Sequence, residues 1–433
     1  MIRKTTFFIT LVVSTLCMGQ DYTSYFTGDT ADVTTNHEFG ICLMGGATES
    51  DEAMIWFLNK ADGGDVLVLR ASGSDGYNDY FYSELGVTIN SVETLVIHNA
   101  AGAIDPYVLQ QVANAEAIWF AGGDQYDYVS YFKDNELEDL LNDHINVRSA
   151  VIGGTSAGMA ILGRHYFDAE NGTVTSAQAL ADPYDSRVSI GSNDFLDIPF
   201  LSNLITDTHY DDPDRRGRHM VFMARIAVDG QERPFGIACE EYTAVCVDAN
   251  GMASVYGGYP SFDDFAYFLQ VNCGNSGYEP EICTPGTPLT WVQNDDAIRA
   301  YKVPGTTQGE LAMDLNTWEA LSANGVWEHW TADNGNFQST AGIDPECNTL
   351  GVPDVNGIDI AVYPNPFSNT IYLNGNLDNL VLQLHDVHGR QIPMDVDRFQ
   401  KKIHTAQLSD GLYFLTITSD LGDRVIKLVR MIE

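Results

Sequence analysis

Ser156 stands alone in the run from Val151 to Gly163, VIGGTSAGMAILG, with Gly154 two residues before it and Gly158 two after. Glycines on both sides let a strand turn sharply into a helix. The hydroxyl then projects above the sheet, and the first helical N–H groups face a reacting carbonyl oxygen. That is the setting of a serine nucleophile, but a tight turn built only for packing carries the same glycines. The serine also needs a base, because a free hydroxyl is a poor nucleophile near neutral pH. His209 is the best placed candidate: in NLITDTHYDDPDRRGRHMVFMARI it ends a short apolar strand and precedes an arginine-bearing helix. That position ranks it above His98, His144 and His165. A hydroxyl and an imidazole at neighbouring strand ends would support acyl transfer.

The chain around these residues has the pattern that would hold them. From about His37 to Gly258, apolar runs such as FGICLMGG, DVLVLRAS, VETLVIHN, AEAIWFAGG and SAVIGGTSAG alternate with amphipathic stretches such as ESDEAMIWFLNKA. Continuous apolar strands interleaved with helices predict an α/β fold with a mostly parallel, doubly wound sheet covered on both faces. Chemistry on such sheets gathers at the strands' carboxyl ends. Those ends carry GGA (45–47), RAS (70–72), GGDQ (122–125) and GTSAG (154–158). Residues 259–340, with tryptophans at 318, 327 and 330, read as an irregular β-rich extension of the same domain, so that one domain spans 20–340 with its core at 37–258. A linker is expected at 341–357. Residues 358–433 show period-two alternation with turn signals, which predicts a small all-β sandwich.

Composition narrows the function classes. The 433 residues are 44% hydrophobic and carry a net charge of −38, which disfavours nucleic acid and anionic lipid as partners. Residues 1–19 have a basic start and a short apolar run, the pattern of a cleaved export signal. Export permits disulfides, and Cys273 and Cys283 close a short polar loop that a disulfide would suit. Cys42, Cys239 and Cys246 lie in apolar runs and read as small hydrophobes. No Cys or His spacing resembles a zinc site; neither a metal nor an organic cofactor is expected.

Four motifs in order, AIWFAGGDQ, GGTSAGMAILG, ITDTHYDDPDRRGRH and FGIACEEYTAVCV, resemble the cyanophycinase and dipeptidase E family of serine peptidases over residues 37–258. The resemblance implies a class I glutamine-amidotransferase-like fold in which serine replaces the cysteine nucleophile, and hydrolysis of peptide or isopeptide bonds next to aspartate. It assigns Ser156 as nucleophile, His209 as base, and the N–H groups of Gly123 and Ala157 as the oxyanion hole. Gln125, Asp207, Arg215 and Arg218 take substrate-binding positions, and the guanidinium groups would clamp a carboxylate. The third triad member is expected between serine and histidine, shortly before a proline. Asp182 before Pro183 fills it, one place closer than usual, with Gln178 and Glu170 as alternatives. The Ser156-to-His209 interval is longer than in cyanophycinases, and DDPD stands where the family has a further arginine.

At the other end, YPNPF, DGLYFLTI and KLVRM resemble the type IX secretion system C-terminal sorting domain across 358–433. That implies contact with the secretion machinery and a secreted or cell-surface location. The expected partners are therefore that machinery and a peptide substrate, cyanophycin or an aspartyl peptide. A homodimer is one allowed assembly. An aspartyl dipeptidase, or an inactive surface-displayed binding protein on the same fold, are the competing readings.

Overall fold

The computed structural model describes residues 20–274 and 277–343 and, between 360 and 430, eight strands with parts of their connections. The chain divides into two compact units between Pro345 and Glu346. Residues 1–19, the expected export signal, and most of the expected linker beyond residue 343 lie outside the described residues.

The first unit is built on two mixed sheets rather than one. The first has five parallel strands at its centre: Ser91–Ile97, Asp65–Arg70, Ala117–Phe120, Val151–Thr155 and Gly40–Met44. The N-terminal strand Tyr22–Gly28 pairs antiparallel with Ser91–Ile97. At the other side Ala244–Asp248 pairs antiparallel with Gly40–Met44, and Met252–Tyr256 follows it. The second sheet carries His165–Phe167, Leu204–Asp207 and Phe235–Cys239 in parallel, with Phe265–Val271 antiparallel to the last of these.

Burial explains why the central strands are apolar throughout. In Gly40–Met44 every residue is buried. Cys42 and Met44 pack on one face with Phe57 of the helix Asp51–Lys60, and Ile41 and Leu43 pack on the other. That second face meets the helices Pro106–Asn114, Gln125–Phe132 and Glu136–Asn146 and also the second sheet, through Leu204, Ile237, Phe268 and Val303. The outer face of the second sheet is covered by the helices Ser176–Ala181 and Arg216–Arg225. Both sheets are thus covered on both faces, as strands without polar alternation require.

Residues 259–340 are a β-rich extension of the same unit, built from regular strands. Phe265–Val271, Ile298–Pro304, Val326–Asp333 and Asn336–Ala341 extend the second sheet, while Glu310–Asp314 and Glu319–Ala320 extend the first. The last strand runs through Ala341, into the start of the expected linker. The tryptophans are its packing centres: Trp330 is fully buried, Trp318 stacks on Phe235 at 4.0 Å and Trp327 packs on Tyr301 at 4.8 Å. The expected Cys273–Cys283 disulfide is absent. Cys283 is a free thiol packed in the apolar core of the second sheet, and Cys273 is disulfide-bonded elsewhere.

The second unit forms two four-stranded antiparallel sheets. Leu415 and Ile417 alternate inward on one long strand and pack with Phe367, Ile371, Leu384, Ile403 and Leu428.

Close backbone approach accounts for the small residues around Ser156. A Cβ on Gly158 would lie 2.2 Å from the Phe120 carbonyl oxygen, and one on Gly154 would lie 2.6 Å from the Gly158 carbonyl carbon. Backbone cannot retreat as a flexible side chain can. Gly158→Ala is expected to destabilise the first unit by about 2 kcal/mol or more. Thermal unfolding followed by tryptophan fluorescence checks this, since all six tryptophans precede residue 345; an unchanged midpoint would refute it.

Candidate active site

Ser156 occupies the bend between the central strand Val151–Thr155 and the short helix Ala157–Ala160. Its backbone has φ 52° and ψ −116°, a conformation costly for any residue with a Cβ. Neighbouring bonds impose it: the Ser156 N–H donates to the Met44 carbonyl at 3.1 Å, and its own carbonyl accepts from Ala160 N–H at 3.0 Å. The bend lifts Oγ out of the core, leaving the residue partly exposed between buried neighbours.

His209 arrives from the second sheet, just past the end of Leu204–Asp207. Its Nε2 lies 2.8 Å from Ser156 Oγ. Its N–H donates to the Gly45 carbonyl at 2.9 Å, and its ring lies over Gly46, where a Cβ would come within 2.4 Å of ring atoms. The other ring nitrogen, Nδ1, lies 2.6 Å from Oε1 of Glu241. A proton on Nδ1 donated to that carboxylate leaves Nε2 free to accept from the serine hydroxyl.

Glu241 therefore stands where Asp182 was expected. It follows the strand Phe235–Cys239, the parallel neighbour of Leu204–Asp207. Its N–H donates to Asp211 Oδ1 at 3.1 Å, which fixes the turn. Asp182 serves a different purpose: its Oδ1 accepts the N–H groups of Tyr184 and Gly286, both at 3.0 Å, and ties two loops together. The alternatives are occupied as well. Gln178 closes a capping box with Thr175, and Glu170 accepts from Tyr126 OH. The acid thus lies beyond the histidine along the chain, not between serine and histidine, and its sequence signal is a carboxylate at the carboxyl end of the strand beside the histidine's own.

The other expected site residues fall into two groups. Gly123, with φ 159°, follows the strand Ala117–Phe120, and Gly122 just before it lies close to Ser156. Ala157 opens the helix after the bend, where N–H groups have no intrahelical acceptor. Gln125 begins the helix Gln125–Phe132 and reaches the Phe167 carbonyl at 3.3 Å.

Asp207 and Arg218, by contrast, bind each other. Arg218 Nε donates to Asp207 Oδ2 at 2.9 Å and Nη2 to Oδ1 at 2.5 Å, with both side chains 4% exposed. Arg218 also donates to Thr173 and Val174. This sealed, bidentate pair has no free face for substrate, so the expected binding role of both residues is corrected to a structural one. Arg215 differs. Its Nη1 donates to the Thr208 carbonyl at 3.1 Å, its buried Nε has no partner, and among the described residues no carboxylate lies within ion-pair distance. Burial and the nearby Arg218 lower its pKa, the mark of a cation short of a counter-charge. Of the acids in DDPD, Asp211 holds the Glu241 turn and Asp214 pairs with Arg216.

Residues 67–253 match Peptidase family S51, and residues 361–431 match the Secretion system C-terminal sorting domain. These matches give the chain a Peptidase S51 domain, of the cyanophycinase and peptidase E family, followed by a C-terminal secretion sorting domain. It is 23% identical over 234 residues to the cyanophycinase of Synechococcus elongatus, covering 52% of this chain and 67% of that one. The cyanophycinase of Geminocystis herdmanii is 24% identical over 230 residues, covering 50% and 77%. Among solved structures, a peptidase from an acI-B1 Actinobacterium aligns over 51% of this chain and 88% of its own, with 15% identity and a TM-score of 0.38.

The Asp207–Arg218 pair has a measurable consequence. Burial alone would raise the Asp207 pKa, but the Arg218 guanidinium outweighs it and holds the carboxyl below its ordinary 3.8. A carboxyl with a lowered folded-state pKa contributes stability above its unfolded pKa and loses it as pH falls through the folded value. Arg218→Met, which strands the buried charge, is expected to cost about 3–5 kcal/mol at neutral pH. The gap in melting temperature between wild type and Asp207→Asn should hold constant from pH 8 to 5 and narrow only below about pH 4. A gap already closing at pH 6 would contradict this.

Proposed function

We propose that this protein is an exported serine peptidase that hydrolyses a peptide or isopeptide bond next to aspartate. The observation that carries the reading is the continuous relay from Ser156 Oγ through the His209 imidazole to Glu241, at 2.8 and 2.6 Å. Ser156 attacks the amide carbonyl carbon as His209 Nε2 takes the hydroxyl proton. Glu241 stabilises the imidazolium and holds its tautomer. The N–H groups of Gly123 and Ala157 donate to the developing oxyanion. The tetrahedral intermediate collapses as His209 gives its proton to the leaving amine, and water then releases the acyl group by the same steps in reverse.

Aspartate selectivity rests on Arg215. Its half-buried guanidinium bonds the carbonyl of Thr208, the residue before His209, and has no ion-pair partner among the described residues. A substrate carboxylate would satisfy both its charge and its unpartnered Nε. A second feature favours a polymer that carries both signs of charge. A cavity of about 500 Å³ is lined by Glu49, Asp51, Glu52, Tyr242 and Phe262, the residues just beyond the Gly45–Gly46 segment and Glu241 in the chain among them. Aromatic rings and carboxylates together suit a basic side chain. Cyanophycin, a polyaspartate bearing arginine, presents both. An inactive binding protein on the same fold would not need the imidazole aligned between hydroxyl and carboxylate.

Cleavage assays on cyanophycin and a panel of aspartyl peptides test the reading. Ser156→Ala is expected to lower kcat by about 10⁴-fold or more, and Glu241→Gln by about 10³–10⁴-fold. Asp182→Asn should stay within about twofold of wild type. Arg215→Ala should raise KM for aspartyl substrates and leave their asparaginyl counterparts unaffected. Full activity of Ser156→Ala, or wild type inert across the whole panel, would overturn the assignment.

A further inference from the structure

Cys42 and Cys246 are direct cross-strand partners in the antiparallel pair Gly40–Met44 and Ala244–Asp248. Their sulfur atoms lie 3.7 Å apart as free, buried thiols. Facing positions on antiparallel strands have Cα atoms about 4.5 or 5.5 Å apart, inside the about 4.4–6.8 Å range a disulfide spans. The sorting tail marks the chain for export, and Cys273 is already disulfide-bonded. The chain therefore matures where thiols are oxidised.

The geometry points to a second cross-link: Cys42 and Cys246 form a disulfide that staples the two strands whose ends supply backbone supports to the relay. Formation is a thiol–disulfide exchange. One cysteine thiolate attacks a disulfide of the oxidant, a thiol–disulfide oxidoreductase, and expels one of its thiolates. The second cysteine thiolate then attacks the mixed disulfide and expels the other. The two cysteines lose two protons and two electrons, and the oxidant's disulfide becomes two thiols. Burial pushes the Cys246 thiol well above its ordinary pKa, so thiolate is scarce once the sheet is closed. The exchange belongs to folding, before these strands pair.

The site gives the link its purpose. The strand bearing Cys42 runs into Met44, whose carbonyl accepts the Ser156 N–H, and into Gly45, whose carbonyl accepts the His209 N–H. The strand bearing Cys246 is entered from the turn that holds Glu241, and Thr243 in that turn accepts the Gly45 N–H at 2.9 Å. Cross-linking the pair ties all three supports together across a separation of 204 residues. Cys239, the third thiol of this region, bonds instead to the Leu43 carbonyl at 3.5 Å and is left out.

Peptide mapping decides the matter. Full-length protein collected after export is denatured in iodoacetamide without reductant, digested and analysed by mass spectrometry. The expected result is a cross-linked peptide pair containing Cys42 and Cys246, with Cys239 alkylated. Alkylation of both Cys42 and Cys246, or a link from either to Cys239, overturns the proposal. Cys246→Ser should free Cys42 for alkylation and lower the tryptophan-fluorescence melting midpoint by about 5–10 °C. Cys273→Ser should leave the Cys42–Cys246 peptide pair in place.

Discussion

The whole site depends on one short chain segment, Met44–Gly46, at the end of a central strand. Its carbonyls accept the N–H groups of Ser156, His209 and Tyr242, and its Gly45 N–H donates to Thr243. Serine, histidine and glutamate come from three strands in two sheets, yet their backbones are referred to this one reversal. A side-chain hydrogen bond of 2.8 Å survives errors of only a few tenths of an ångström. Common anchoring achieves that tolerance where separate sheets alone would not. Gly46 shows how strict the arrangement is, since any side chain there would occupy the space of the imidazole.

The core between the sheets supplies the rest of the precision. Leu43 and Ile152 from one sheet and Leu204 and Ile237 from the other share a single apolar cluster. Close-packed interiors transmit small displacements rather than absorb them, so the separation of the two strand ends is set by the side chains below. The S51 match ends at residue 253, whereas the first sheet continues to Ala320 and the second to Ala341. The added strands widen both sheets and, through Trp318 on Phe235, buttress the strand next to that of His209.

Much of this was legible in the sequence, for identifiable reasons. Uninterrupted apolar runs such as ICLM and AVIGG can only be doubly covered strands, and they were. The bend at Ser156 was announced by glycines that the close approach of Phe120 and Gly158 demands. The position of His209 at a strand's carboxyl end brought it to the serine. Local pattern could not reveal that these strands belong to two sheets, because sheet membership is decided by pairing between residues far apart. The strands after 259 were obscured by Pro and Gly in their connections. Glu241 escaped for the same reason as the two sheets: it neighbours His209 only through the pairing of Phe235–Cys239 with Leu204–Asp207. Cysteine pairing by loop length likewise failed at Cys283, whose side chain is claimed by the core.

Charge illustrates why residue type alone underdetermines role. Three arginines follow His209 within ten positions, and in sequence all are equal candidates for gripping an anion. Arg218 is consumed by Asp207, and Arg216 by Asp214. Only Arg215 is left short of a partner, and this in a chain with 38 more negative than positive charges. With carboxylates so plentiful, such a vacancy is informative. Desolvating a guanidinium without a counter-ion is costly, and the surrounding backbone offsets it through a single carbonyl, that of Thr208. The strongly negative surface would repel an acidic ligand at long range, so recognition of a carboxylate must be short-range and bidentate. A half-buried, pre-positioned guanidinium close to His209 would meet that requirement under the proposed function, whereas a solvent-exposed lysine at the same point would not.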